Sequence, residues 1–195
     1  MDQYLRQHIP GVSWRHEVEL KALALGDGKF NVDMHASTDD QEMAVLLKAP
    51  VRSMGKNRMN SAVNLWGEAV RLTLLREGRK KRLAALFVTA HPMVDIIIQG
   101  KTAKGTGKTI FRDYTPISAK VHNAGFSLLP QGVTRCRYVD IPYSFVSRPN
   151  LKSLGGVVDA FEAMTPGSRI FVEECVWKRF DEAIEWLVTP ALSRT

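Results

Sequence analysis

The chain has 195 residues, 45% of them hydrophobic and 24% charged, and a net charge of +7. That length fits one domain with a core that needs no disulfides, and no apolar run approaches the roughly 20 residues of a membrane span. A membrane partner is therefore excluded, a cytoplasmic location is expected from an N-terminus without the apolar centre of a signal peptide, and the basic balance favours a polyanion.

Glu17 to Leu25 alternates as a strand, with Val18, Leu20, Ala22 and Ala24 on one face. Gly26, Asp27 and Gly28 signal a turn. The next strand places Phe30, Val32 and Met34 on one side and Asn31, Asp33 and His35 on the other. After a polar turn over 37–41, Glu42 to Ala49 returns as a third strand closed by Pro50. Ser61 to Leu75 reads as a helix, with Ala62, Leu65, Trp66, Ala69 and Leu72 at helical spacing, an N-cap from Asn60 or Ser61, and Gly78 as its stop. Gly67 in that helix suggests a close approach of the backbone to the sheet.

Leu83 to Ala90 is a continuous apolar run, the pattern of a strand buried on both faces. Val94 to Gln99 and Thr109 to Tyr114 form two further strands around a Gly/Lys loop, and Arg135 to Phe145 another. Ser153 to Met164 reads as a helix, Arg169 to Val172 as a short strand, and Glu174 to Val188 as an amphipathic helix burying Val176, Trp177, Phe180, Ile184 and Leu187. The front half thus runs strand, strand, strand, helix, strand, which predicts a mixed sheet in an α/β layered fold, a single domain over 1–195.

The chemistry concentrates in the first 90 residues. A turn near Asp39 and Asp40 sets Asp33 opposite Leu46 or Leu47, and the former register leaves Lys48 diagonal to Asp33 on the same face. Asp33 offers a hard oxygen ligand for Mg²⁺, which commonly takes one or two carboxylates plus water and phosphate oxygens. Lys48 offers charge to a phosphorane-like transition state. Glu68, mid-helix between apolar neighbours, is the candidate second acid; an exposed i,i+3 pairing with Arg71 is its bland alternative.

Basic residues crowd the region from Lys48 to Arg82, opposed only by Glu68 and Glu77. Within it, Arg52 to Arg58 reads as a polar loop whose Arg52, Lys56, Asn57 and Arg58 suit phosphates or base edges. Gly100 to Thr109 fails the spacing of a phosphate-binding loop and reads either as a basic hairpin loop, with Lys101, Lys104 and Lys108 toward a nucleic-acid backbone, or as a disordered tip. His35 shares a face with Asp33 and reads as structural or solvent-facing, His91 ends the buried strand before Pro92, and His122 sits in a loop-like stretch; no histidine pair has metal-ligand spacing. Cys136 and Cys175, far apart, read as reduced thiols. Trp66, Trp177 and Trp186 fall on apolar helix stripes.

The segments Asn31 to Asp33, Ala44 to Lys48 and Gly67 to Ala69 resemble the restriction-endonuclease-like, or PD-(D/E)xK, nuclease core. The resemblance covers under half the chain and implies an αβββαβ core over about 1–90, with Asp33 opening the site and Lys48 closing an acid-x-Lys motif. Leu46 stands where that motif has its acid. Some branches of the family carry the acid on the following helix, where this chain has Glu68. Glu17 or Glu19 is a weaker source of the missing acid. The resemblance further implies a backbone metal ligand at the Leu47 carbonyl, Mg²⁺ as cofactor, double-stranded DNA as substrate and a homodimer. In that arrangement the region 91–195, including Arg135, Arg137 and Arg148, supplies recognition and dimer contacts. The expected activity is a type II restriction endonuclease. The alternatives are a non-catalytic nucleic-acid-binding module of the same fold and a nuclease of repair, transposition or RNA processing.

Overall fold

The run Arg82–Pro92 organises the molecule, because it is apolar on both faces and can only be satisfied between two layers. In the computed structural model it is strand β4 of a mixed sheet. The residues described are 2–21, 29–49, 54–76, 80–92, 94–99, 108–113, 116–129, 134–145, 170–171 and 174–189. The elements around β4 are α1 (Asp2–His8), β1 (Arg15–Lys21), β2 (Lys29–Ser37), β3 (Gln41–Lys48), α2 (Met54–Leu75), β5 (Val94–Gln99), β6 (Lys108–Asp113), α3 (Ala119–Ser127), β7 (Thr134–Phe145), β8 (Ile170–Phe171) and α4 (Glu174–Val188).

The sheet runs β1-β2-β3-β4-β7-β8, where β8 is a two-residue piece on a sheet of five longer strands. β2 is antiparallel to β1 and β3, whereas β3, β4 and β7 are mutually parallel. β5 and β6 form a separate antiparallel hairpin. Ala84, Leu86 and Val88 pack with Leu5 of α1 and with Phe180, Ile184 and Leu187 of α4. Leu83, Ala85 and Phe87 pack instead with Leu65, Ala69 and Leu72 of α2 and Phe126 of α3. The chain is thus an α/β fold whose mixed sheet is flanked by helices.

Several expectations change. α2 starts at Met54, not Ser61, so Met54 to Arg58 are helical where a loop was expected; Gly55 costs about 1 kcal/mol relative to Ala in that first turn, but Met, Lys and Arg around it are good helix formers. It ends at Leu75, and Gly78 lies outside the described residues. Gly67 has no heavy atom within 4 Å of a built Cβ, so it serves no close approach there. The close approach is at Gly125 on α3, where a Cβ would meet Trp66 Nε1 at 3.0 Å. α3 itself fills what read as a loop around His122. β1 spans Arg15–Lys21, while 22–25 and the expected helix over 153–164 lie outside the described residues.

Arg135, expected at a recognition or dimer surface, is instead drawn into the fold. Its guanidinium donates to the Trp186 carbonyl at 2.8 Å and to that of Thr189, and stacks on the Trp186 ring at 4.5 Å. A cation over the open carbonyls at the end of α4 satisfies groups the helix leaves unpaired. Cys136 is the expected free thiol, and burial pushes its pKa up to about 12, which keeps it protonated and unreactive. Arg148 lies outside the described residues.

Leu86, fully buried between the two layers, is a direct probe of this core. Leu86→Ala is expected to lower unfolding free energy by about 2–5 kcal/mol in urea titrations. A second probe is Glu42, which accepts from His35 Nε2 at 3.2 Å and pairs with Arg76 Nη1 at 3.0 Å. The His35 hydrogen bond, reinforced by Arg76 and opposed by burial, brings the Glu42 pKa down from 4.5 to about 2. A carboxyl whose folded pKa is depressed stabilises the fold above its unfolded value and loses that contribution as pH falls through the folded one. The stability gap between wild type and Glu42→Gln should therefore shrink, on the order of 3 kcal/mol, between about pH 5.5 and pH 2.

Candidate functional site

Strand alternation breaks where the site forms. Phe30 and Val32 of β2 belong to the α2 side of the core, but Met34 and Ala36 belong to the α1/α4 side. The even residues therefore change face at Asp33, which contradicts the expectation of one continuous face through Phe30, Val32 and Met34. The β2–β3 ladder pairs Met34 with Val45, and carried one step further sets Asp33 against Leu46, the register expected. At that step Asp33 Oδ2 accepts the Leu47 N–H at 2.7 Å, so the side chain takes over where the recorded backbone pairing ends. On the other side, the β1–β2 register brings Glu17 opposite Asp33, and Glu17 has φ +50°, a left-handed conformation costly for a residue with a Cβ.

β3 alternates without interruption. Ala44 and Leu46 face α2, and Lys48, next on that face, emerges from the core. Glu68 sits one turn beyond Leu65 on α2. The two side chains meet: Lys48 Nζ donates to Glu68 Oε1 at 2.8 Å. Glu68 thus pairs with Lys48 and not with Arg71, whose guanidinium donates to the Lys29 carbonyl at 2.6 Å. The second oxygen of Glu68, Oε2, is buried with no hydrogen-bond partner.

Asp33, Leu47, Lys48 and Glu68 line one cleft of about 410 Å³ together with Glu19, Lys29 and Arg71. Glu19, the weaker acid candidate, faces Lys29 across it at 3.2 Å. Leu46 is 3% exposed, so the position where a second strand carboxylate was sought is occupied by core. The donor set of the cleft is hard oxygen, which suits Mg²⁺ or a similar cation. Among the described residues no three acidic, His or Cys side chains converge to hold a metal ion alone. Two carboxylates completed by water and phosphate oxygens are the arrangement the cleft can offer. Glu68 Oε2 is the atom that most needs such a partner.

The basic candidates divide. Asn57 and Arg58 are exposed on the first turns of α2 and line a second cavity that shares Lys48 and Glu68 with the cleft. Lys56 lies in the same turns and Lys108 opens β6. Arg52, Lys101 and Lys104 lie outside the described residues. His35, expected to be structural or solvent-facing, is buried, and its ring meets Arg15 at 3.1 Å and Glu42 at 3.2 Å. His91, His122 and Tyr138 line the second cavity and were missed as site residues. The only sequence signal for them was the position of His91 at the end of the buried strand.

A buried carboxylate oxygen without a partner costs about 1–3 kcal/mol, while an exposed ion pair returns about 0–1 kcal/mol. Glu68 is then a net burden on the fold. Glu68→Met is expected to raise the unfolding free energy by about 1 kcal/mol in urea titrations. A fall of about 2 kcal/mol would instead make Glu68 a structural residue.

No protein-family model and no curated protein matches the chain. Among solved structures, a protein of unknown function, AF1548, is similar at a TM-score of 0.34 and 8% identity, over 82% of this chain and 64% of that one.

Proposed function

We propose that the chain is a metal-dependent endonuclease that hydrolyses phosphodiester bonds of double-stranded DNA, of the type II restriction class. The observation that carries the reading is the meeting of Asp33, Lys48 and Glu68 in one cleft, with Lys48 Nζ 2.8 Å from Glu68. Support also comes from the order of elements α1-β1-β2-β3-α2-β4, which is that of the restriction-endonuclease-like core the sequence resembles. Glu68, supplied from α2, takes the part of the acid that Leu46 is not.

In this reading Asp33, Glu68 and the Leu47 carbonyl would hold Mg²⁺, which would supply Lewis-acid charge to the phosphodiester and make water a better nucleophile. The protein's own residues do the rest. The Leu47 N–H fixes the Asp33 carboxylate against β3. Glu68 holds the Lys48 ammonium at the cleft, where it stabilises charge gathering on the phosphoryl oxygens. Arg58 and Asn57, exposed on α2, would contact phosphates or base edges, and Lys56, Arg52 and the hairpin lysines Lys101, Lys104 and Lys108 complete the proposed DNA contacts. A homodimer, implied by the resemblance, lets each protomer cut one strand of a symmetric site.

The apolar Leu46 gives weight to one rival, a DNA-binding module of the same fold without catalysis. Incubation with mixed-sequence duplex DNA separates the two. Discrete Mg²⁺-dependent fragments are expected, abolished by chelation and reduced at least about 100-fold by Lys48→Ala or Glu68→Gln. Salt-sensitive binding without cutting would favour the inert module, and a preference for RNA would point to RNA processing. In the same binding series, Arg58→Ala is expected to lower the slope of log affinity against log salt by about one.

A further inference from the structure

The second cavity, also of about 410 Å³, extends from the Lys48–Glu68 pair past the end of β4 toward α3. Nothing in the hydrolysis of a phosphodiester requires it. Its polar rim is formed by Asn57, Arg58 and Asn64 of α2, and its inner wall by His91, His122 and Tyr138. The two aromatic rings lie together, His122 on Tyr138 at 4.3 Å between centroids and tilted by 39°. His122 is 5% exposed, and its Nδ1 is buried with no hydrogen-bond partner. Burial pushes the His122 pKa down from 6.5, against a smaller opposing pull from Asp140, so at neutral pH the ring is an uncharged imidazole with one donor and one acceptor.

A cavity of that size fits a small planar ligand. His122 and Tyr138 give the cavity an aromatic inner wall and Asn57, Asn64 and Arg58 a polar rim, a combination matched by a flat group with polar edges. A cation is poorly matched here, because Arg58 and Lys48 stand at the entrance. Inorganic phosphate would satisfy those cations but leave the aromatic wall and His122 unused.

We infer that this cavity receives a nucleobase turned out of the duplex beside the phosphodiester held at the Lys48–Glu68 pair. The inference rests on the reading of that pair as a DNA-cleaving site. The phosphate stays with Lys48 and Arg58 while the base lies against Tyr138 and presents its edge to His122. Turning a base out costs a few kcal/mol and least for a base that is already unpaired. The chain therefore prefers duplexes carrying one.

The test compares three duplexes without Mg²⁺: fully matched, with one extra unpaired nucleotide, and with the same extra nucleotide lacking its base. The base-bearing bulge is expected to bind at least about tenfold more tightly than the matched duplex, and the abasic bulge about as weakly as the matched one. S61W, which fills the cavity mouth from an exposed helical position, is expected to bring the ratio to about one. 2-Aminopurine in the bulge should change fluorescence when wild-type protein binds. Equal affinity for all three duplexes, an abasic bulge bound as tightly as the base-bearing one, a ratio untouched by S61W, or an unchanged 2-aminopurine signal would each overturn the inference. If Mg²⁺-dependent cleavage of matched DNA persists in any of those cases, only the base pocket falls. Absence of both binding and cleavage overturns the nuclease reading and the pocket with it.

Discussion

The Lys48–Glu68 ion pair is the contact around which the functional half of this molecule is arranged. It joins the last residue of β3 to the middle of α2 and forms a wall common to the cleft and the second cavity. Its value does not lie in stability. An ion pair this exposed contributes at most about 1 kcal/mol, and it leaves the other Glu68 oxygen buried and unpartnered. What the pair does fix is the placement of an ammonium and a carboxylate at the cleft, and the proposed function draws on that placement.

The second constraint is the inversion of β2 at Asp33. By changing face there, the strand commits Val32 to one half of the core and Met34 to the other, and frees Asp33 from both. The left-handed Glu17 opposite Asp33 stores strain in the neighbouring strand, of order 1–3 kcal/mol. The Asp33–Leu47 hydrogen bond fixes the result. Regular alternation from Phe30 and Val32 would have sent Asp33 to the α1/α4 side. The break instead leaves it in the cleft with Lys48 and Glu68.

Much of this was legible in the sequence where a single physical signal dominated. The apolar run around Leu86 could only be a strand between two layers, and the Glu174–Val188 stripe defined α4 to the residue. Asp33, Lys48 and Glu68 came together because hairpin register and helix spacing are local rules that the fold obeys. What was illegible depended on tertiary context. The inversion at Asp33 balances two cores that no alternation pattern announces. The first turns of α2 have little apolar content, so periodicity placed them in a loop. α3 is short, and only His122 and Phe126 are buried in it, too weak a stripe to read. Arg135 looked like surface charge because the α4 carbonyls that hold it lie 51 to 54 residues away.

The central claim is that Asp33 and Glu68, with Lys48 between sheet and helix, form one cation-dependent site. Calorimetric titration with Mn²⁺, a spectroscopically convenient stand-in for Mg²⁺, tests it most directly. The expected result is one ion bound per chain in the wild type, with binding lost in both Asp33→Asn and Glu68→Gln. Binding that survives both substitutions, or no binding in the wild type with or without duplex DNA present, would contradict it.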